Sequence, residues 1–360
     1  MRMALGLSRR GLGNVWPNPA VGCVLADRQG RIAGRGWTQP GGRPHAETEA
    51  LRRAGARARG ATAFVSLEPC SHRGKTAPCA ERLVEAGVAR AVIAIEDPDR
   101  RVSGKGIARL GEAGVEVVSG VCAEEAAVVN AGFFRRVVEG RPLVTLKVAT
   151  TLDGRIATHG GESRWITGDV ARSWAHALRA NHDAVMVGLG TATADNPRLT
   201  CRLPGLEDRS PLRVVIDARL RLPLGSHLVS GAGEVPTWIV TLGGGKAARR
   251  AAYLERGVEL IEVDADESGN PDLRHALRAL GGRGLTRLLV EGGGKLAAAL
   301  LSARLVDRLA WFRSPGIIGG DGMAVAAAFG VDRLADMAAF TRLSVMEAGD
   351  DLLETYALSG

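Results

Sequence analysis

Apolar runs of strand length alternate with helix-like segments along the whole chain, and the alternation starts afresh after Pro142. In the first series AVGCVLAD, IAGRGW, ATAFVSLE, ARAVIAIED and VEVVSG read as strands, with ETEALRRAGARA and CAERLVEAG as helices between them. The second series comprises PLVTLKVATT, HDAVMVGLG, LRVVIDA, PTWIVTL, VELIEV, TRLLVEGG and DRLAWFRSP, again with helical segments between several of them. Such alternation implies α/β architecture, and a series that restarts implies two domains in tandem. The 360 residues suffice for two ordinary cores. VVNAGFFRRVVEGRP reads as a helix ended by Gly140 and Pro142, which predicts domains of residues 1–140 and 141–360. Segments 202–211 and 219–236, rich in Gly, Pro and charge, read as surface loops of the second domain.

No stretch reaches the roughly 18–20 apolar residues of a membrane span, and MRMALGLSRRGLG lacks the apolar core and cleavage site of a signal peptide. A cytoplasmic protein without a membrane partner is the expectation. Cys23, Cys70, Cys79, Cys122 and Cys201 are odd in number and scattered, so thiolate chemistry or burial is expected of them and a disulfide framework is not. The formal net charge is +8, yet only five of the 47 basic residues are lysines, and the arginines form no block. A phosphate-bearing small substrate, a nucleic acid and a plain solvated surface are all compatible with that balance.

Zinc takes about four ligands, and a catalytic zinc keeps one position open. His45-Ala46-Glu47 followed by Pro69-Cys70 matches the H-x-E…P-C signature of zinc deaminases, in which the glutamate is not a ligand. His45, Cys70 and Cys79 are therefore the candidate ligands of one Zn2+ per chain. Glu47 is the candidate catalytic residue, taking a proton from the attacking water and handing protons to the ring nitrogen and the departing ammonia. A helix start carrying His45 and Glu47 and a strand end carrying Cys70 can converge on one ion. Eight residues separate Cys70 from Cys79, where the general signature has two. The interval, Ser71-His72-Arg73-Gly74-Lys75-Thr76-Ala77-Pro78, is polar and cationic. Lys75 supplies charge, and His72 and Thr76 supply donors, for a phosphate or a ribose.

In the second half TRLLVEGGGKLAAALL runs strand, Glu291-Gly292-Gly293-Gly294, helix, a layout in which backbone N–H groups can cradle a pyrophosphate. Neither G-x-G-x-x-G nor a Walker A motif is present, because Leu296 follows Lys295. A phosphate cradle and a tight structural turn both stand open. Lys147, Asp153, Ser163, Arg179, Asp195, Arg202 and Glu291 flank or end apolar strands, where open α/β sheets assemble ligand sites. Each also reads, taken alone, as a cap, a turn or a surface pair.

Taken in order, PNPAVGCV, RPHAETEAL, SLEPCSHRGKTAPCAE, EDPDRRVSGKGI, TTLDGRIAT, SRWITG, ADNPRLTCR and VEGGGKLAAALL resemble the bacterial bifunctional deaminase–reductases of riboflavin biosynthesis over nearly the whole chain. The resemblance implies a cytidine-deaminase-like three-layer N-terminal domain followed by a dihydrofolate-reductase-like α/β domain. It implies zinc-dependent deamination of 2,5-diamino-6-(5-phosphoribosylamino)pyrimidin-4(3H)-one, then NADPH-dependent reduction of the ribosyl side chain to give 5-amino-6-(5-phosphoribitylamino)uracil. By the same resemblance Asn18, His72 and Lys75 hold the deaminase substrate. Ala149, Trp165, Thr191, Asp195, Gly293, Gly294 and Lys295 contact NADPH. Lys147, Ser163, Arg179, Leu199, Arg202 and Glu291 contact the reductase substrate, Arg179 and Arg202 clamping its phosphate bidentately. The implied partners are a phosphorylated pyrimidine and further copies of the chain in a homo-oligomer, with no nucleic acid.

Two features depart from the family pattern. The chain begins only a few residues before ALGLSRRGLG, which implies a clipped first helix or a misassigned start, and SPGIIGG carries Gly316 where relatives tend to have lysine. Two other readings remain at this point. One is a nucleic-acid-editing zinc deaminase, which favours a short C-x-x-C and needs no nicotinamide half; the other is a deaminase whose second domain is a degenerate dimerising module.

Overall fold

A computed structural model of the chain describes residues 1–72 and 77–359. They form two compact units, Met1–Arg141 and Pro142–Gly360. No helix among the described residues is long and apolar enough to cross a membrane.

Unit 1 is built on strands β1 (Gly22–Ala26), β2 (Ile32–Trp37), β3 (Thr62–Val65), β4 (Arg90–Ile93) and β5 (Glu116–Ser119), in the order β2-β1-β3-β4-β5. Strand β1 runs antiparallel to both its neighbours, whereas β3, β4 and β5 are mutually parallel. The β1–β2 turn is short because Asp27 Oδ1 accepts the N–H groups of Gln29 and Arg31, each at 3.0 Å. The helices are α1 (Arg2–Ser8), α2 (Ala46–Ala54), α3 (Cys79–Glu85), α4 (Lys105–Glu112) and α5 (Ala123–Glu139). Helix α5 starts earlier than the apolar run at 128 suggested, because the run preceding it, Ala123-Glu124-Glu125, is favourable for a first helical turn. It ends on left-handed Gly140, as expected.

Helix α2 lies unusually close to β2, and glycine is the reason. A Cβ on Gly34 would fall 2.2 Å from the Ala50 carbonyl oxygen, and one on Gly36 would fall 2.3 Å from that of Ala46. Ala46, Ala50 and Ala54 on the facing side of α2 are buried, joining Cys23, Leu25, Val65, Leu67, Leu83, Ile93 and Leu110 in the core. Small residues on both surfaces thus set the height at which the first turn of α2 sits above the sheet.

Unit 2 contains β6 (Leu143–Thr150), β7 (Arg155–Ala157), α6 (Asp169–Ala180), β8 (Ala184–Gly188), α7 (Leu189–Asp195), β9 (Leu212–Ile216), α8 (His227–Ser230), β10 (Thr237–Leu242), α9 (Ala247–Leu254), β11 (Glu259–Val263), α10 (Leu273–Gly282), β12 (Arg287–Val290), α11 (Gly294–Ser302), β13 (Arg308–Arg313), β14 (Met323–Ala324), β15 (Phe340–Ala348) and β16 (Asp351–Leu358). Nine strands make one sheet in the order β11-β10-β9-β8-β12-β6-β13-β16-β15. It is parallel from β11 to β13, and the β15–β16 hairpin then closes it antiparallel. The central strands β8 and β9 are buried almost throughout, as parallel strands covered on both faces must be. The hairpin escaped the sequence reading because β15, FTRLSVMEA, is exposed along most of its length and carries little apolar patterning.

Segment 219–236 is not the surface loop expected from its Gly, Pro and charge content. Leu220, Leu222, Leu228, Val229 and Ala232 are all buried in the core of this unit. Arg213, 3% exposed on β9, donates to the carbonyl oxygens of Gly231 at 2.8 Å and Val235 at 2.6 Å. One buried guanidinium so satisfies irregular backbone that would otherwise need water.

Gly36→Ala is expected to destabilise unit 1 by about 1–3 kcal/mol, since the new methyl must push α2 off the sheet. Urea denaturation followed on that unit's signal checks this; an unchanged midpoint would contradict the close-approach argument.

Candidate active site

In unit 1 the chemistry-bearing side chains come from three elements. His45 is the N-cap of α2 and Glu47 lies in its first turn; Cys70 follows the end of β3; Cys79 is the first residue of α3. His45 Nδ1 stands 3.7 Å from Cys70 Sγ and 3.3 Å from Cys79 Sγ, and one ligand atom from each of the three lies within 4.8 Å of the others. Zn–S bonds of about 2.3 Å and Zn–N bonds of about 2.0–2.1 Å put tetrahedral sulfur and nitrogen ligands about 3.6 Å apart. The donor set and its spacing therefore fit a zinc ion with an open fourth position.

The electrostatics agree. The hydrogen bond from Cys79 pulls the Cys70 thiol below its ordinary range, and the same bond, with burial, pushes Cys79 up. A divalent cation bound between two such thiols would ionise both. The backbone N–H of Cys79 also donates to Cys70 Sγ at 3.3 Å. Glu47 is 3% exposed, and burial raises its carboxyl to about 7.

Around this centre, Asn18 packs on Gly42, where a Cβ would come within 1.9 Å of the Asn18 amide nitrogen. His72 keeps Nδ1 buried without a hydrogen-bond partner among the described residues. Lys75 lies outside the described residues. The sequence reading missed Glu68. Its carboxylate, 3% exposed, accepts N–H groups from Asp97 (3.2 Å), Gly104 (3.0 Å), Gly106 (2.8 Å) and Ile107 (3.2 Å). It thereby ties the EDPDRRVSGKGI segment to the strand end that carries Cys70. An acidic residue closing an apolar strand run was the available signal.

In unit 2 Glu291 and the glycine turn lie just beyond the end of β12, and Thr191 just beyond the end of β8. Glu291 follows β12 and pairs bidentately with Arg179 of α6, at 2.6 and 2.8 Å. Burial alone would push the Glu291 carboxyl up, but Arg179 and Lys147 outweigh it and hold it at about 2. Lys147, on β6 beside Ala149, has its ammonium 5.5 Å from the Phe312 ring centroid, and burial lowers its pKa. Thr191 Oγ1 accepts the Gly293 N–H at 3.1 Å, joining the start of α7 to the glycine turn. Gly294 opens α11 with Lys295 next; a Cβ on Gly294 would meet the Ala324 carbonyl oxygen at 2.9 Å. The Asp195 carbonyl accepts from Arg164, and buried Leu199 takes a left-handed φ of 54°. Ser163 and Trp165 lie on the segment leading into α6, with the Arg172 guanidinium 4.5 Å over the Trp165 ring. Asp153 turns away to the 316–322 segment, accepting from Gly319 N–H at 2.7 Å. Gly316 accepts from Leu152 N–H at 2.8 Å through its carbonyl, a contact any residue would make.

Arg179 and Arg202, expected to clamp the substrate phosphate, stand in different surroundings. Three Arg179 N–H groups are committed, two to Glu291 and one to the Thr200 carbonyl at 3.0 Å. The Arg202 guanidinium makes no hydrogen bond or ion pair among the described residues, while its backbone N–H donates to His176 Nδ1 at 3.3 Å. His176 is a second residue the sequence reading passed over.

The family model for the RibD C-terminal domain matches residues 142–351, and that for the cytidine and deoxycytidylate deaminase zinc-binding region matches residues 1–95. The chain belongs to the RibD family. It is 38% identical over 365 residues to the riboflavin biosynthesis protein RibD of Escherichia coli, covering 98% of this chain and 96% of that one. With the protein of the same name from Bacillus amyloliquefaciens it shares 40% over 320 residues, covering 89% and 85%. Among solved structures, RibD of Acinetobacter baumannii superposes with a TM-score of 0.89 at 35% identity, covering 100% of this chain and 98% of that one. A diaminohydroxyphosphoribosylaminopyrimidine deaminase/5-amino-6-(5-phosphoribosylamino)uracil reductase of Thermotoga maritima gives 0.86 at 34%, covering 100% and 97%. RibD architecture, a cytidine-deaminase-like unit followed by a reductase unit, thus accounts for both halves.

Cys79→Ala is expected to abolish zinc retention and deamination while leaving reduction of supplied aminouracil ribotide intact, since the reductase cluster uses none of the zinc ligands. Metal analysis with separate assays of the two activities checks this. Equal loss of both would contradict independent sites.

Proposed function

We propose that the chain catalyses two consecutive steps of riboflavin biosynthesis. Unit 1 hydrolyses the 2-amino group of 2,5-diamino-6-(5-phosphoribosylamino)pyrimidin-4(3H)-one, and unit 2 reduces the ribosyl side chain of the product to 5-amino-6-(5-phosphoribitylamino)uracil. The observation that carries the reading is the placement of His45 Nδ1 against both thiols at tetrahedral spacing, above a buried Glu47.

Zinc held by His45, Cys70 and Cys79 would supply Lewis acidity that makes a water nucleophilic near neutral pH. Glu47 accepts the first proton of the attacking water and passes it to the ring nitrogen, then takes the second proton from the newly added hydroxyl and passes it to the amino group, which leaves as ammonia. Its burial suits that task, because a carboxyl raised toward neutrality returns a proton as readily as it takes one. Asn18 and His72 flank the site as substrate-binding groups, and Lys75 is assigned to the substrate by the family pattern alone.

In unit 2 NADPH would supply the hydride. Thr191 and the turn Gly293-Gly294-Lys295 provide close backbone approach and a helix start for its pyrophosphate. Ala149, Trp165 and Asp195 complete the proposed cofactor contacts, and Lys147, Ser163, Arg179, Leu199, Arg202 and Glu291 the substrate contacts. With Arg179 neutralised by Glu291, the buried ammonium of Lys147 remains available to a sugar hydroxyl or carbonyl. Positioning, not proton transfer, carries this half of the catalysis.

A coupled assay tests the proposal: given the diaminopyrimidine ribotide and NADPH, the protein releases ammonia and then consumes NADPH in equal amount. Glu47→Gln is expected to retain zinc and lose at least about a hundredfold in ammonia release. A variant near the parental rate would remove Glu47 from the mechanism.

A further inference from the structure

His176 stands in the reductase unit on the same face of α6 as Arg179, three residues before it. Its Nδ1 is held by the Thr200–Arg202 backbone, 3.1 Å from the Thr200 carbonyl oxygen and 3.3 Å from the Arg202 nitrogen. That tie orients the ring and leaves Nε2 without a hydrogen-bond partner among the described residues. The surrounding charge is unbalanced. Glu291 is paired with Arg179, while the Arg202 guanidinium makes no ion pair among the described residues and has Arg179 and Arg198 as like-charged neighbours that outweigh Glu291. Burial first, and then the charges of Arg179 and Arg202, lower the pKa of His176, so the site without a ligand keeps the ring neutral.

A cationic cluster whose one carboxylate is already paired is built to receive an anion. We propose that His176 is a further substrate-binding residue of the reductase, its Nε2–H donating to the phosphate monoester of the ligand alongside the Arg202 guanidinium. This rests on the reductase reading of unit 2. The arriving phosphate draws a proton from solvent onto the ring, after which Nδ1–H donates to the Thr200 carbonyl and Nε2–H to a phosphate oxygen. In taking up this proton, Nδ1 gives up the hydrogen bond it accepted from the Arg202 N–H. The groups facing the ring are Arg179 on its own helix, the Thr200 carbonyl and Arg202 on the following segment, and Glu291 at the end of β12. Of these, only the phosphate adds uncompensated negative charge.

Binding is then linked to protonation. Because the ligand raises the ring's pKa, the His176 contribution is present at low pH and fades as pH rises through the bound-state value. With saturating NADPH, His176→Gln is expected to raise KM for 5-amino-6-(5-phosphoribosylamino)uracil about tenfold, the loss of one charge-assisted hydrogen bond, with kcat within about twofold. The variant should also flatten the pH dependence of KM, and the difference should vanish for the dephosphorylated ribosylamino compound. An equal KM rise on both compounds would mark His176 as a purely structural prop and overturn the proposal. A second measurement is independent of turnover: the imidazole 15N signal absent from His176→Gln or His176→Asn should titrate at higher pH when inorganic phosphate is added. An unmoved midpoint overturns the inference, whereas a parental protein that fails to oxidise NADPH with the ribotide overturns the reductase reading instead.

Discussion

The close approach of α2 to β2 governs the deaminase unit. Two glycines on the strand and three alanines on the helix bring backbone against backbone, and the helix start then stands at a fixed height over the ends of β1 and β3. His45 as N-cap and Glu47 in the first turn inherit that height. A ligand set needs placement to a few tenths of an ångström, which a contact between backbones supplies better than one between flexible side chains. The apolar alanine face contributes burial, but the function it serves is distance.

The reductase unit depends on a different constraint, a charge pair held out of water. Arg179 and Glu291 come from α6 and the end of β12, and both side chains are mostly buried. Burying two ions costs several kcal/mol each, which the bidentate geometry and the neighbouring Lys147 charge offset. Without Glu291, Lys147 and Arg179 would face each other uncompensated. The pair therefore makes a buried lysine tolerable beside the glycine turn, and by occupying Arg179 it leaves the Arg202 guanidinium as an unpaired positive charge of this cluster among the described residues.

Irregular segments near both sites are ordered by single buried ionic side chains reading backbone. Glu68 gathers four N–H groups from the 97–107 segment, and Arg213 gathers carbonyls from the 227–235 segment. Each converts a loop that would need solvent into part of the frame. This is also why such residues mislead a one-dimensional reading. Arg213 makes its surroundings look polar, while the leucines beside it are in the core.

The sequence by itself determined the α/β character, the tandem order and the candidate zinc ligands. Strand and helix periods are local, and the H-x-E and P-C motifs sit at element ends, where local chemistry dictates residue type. The weakly patterned β15–β16 hairpin, the buried course of 219–236, the anchoring by Glu68 and the company kept by His176 were decided only in the tertiary structure. Each depends on partners tens to hundreds of residues away, and neither periodicity nor motif spacing carries information about which distant backbone a lone charged side chain will meet. Arg179 shows the difference most plainly: the chain places an arginine at the right face of a helix, but only the folded sheet reveals that Glu291 has already taken it.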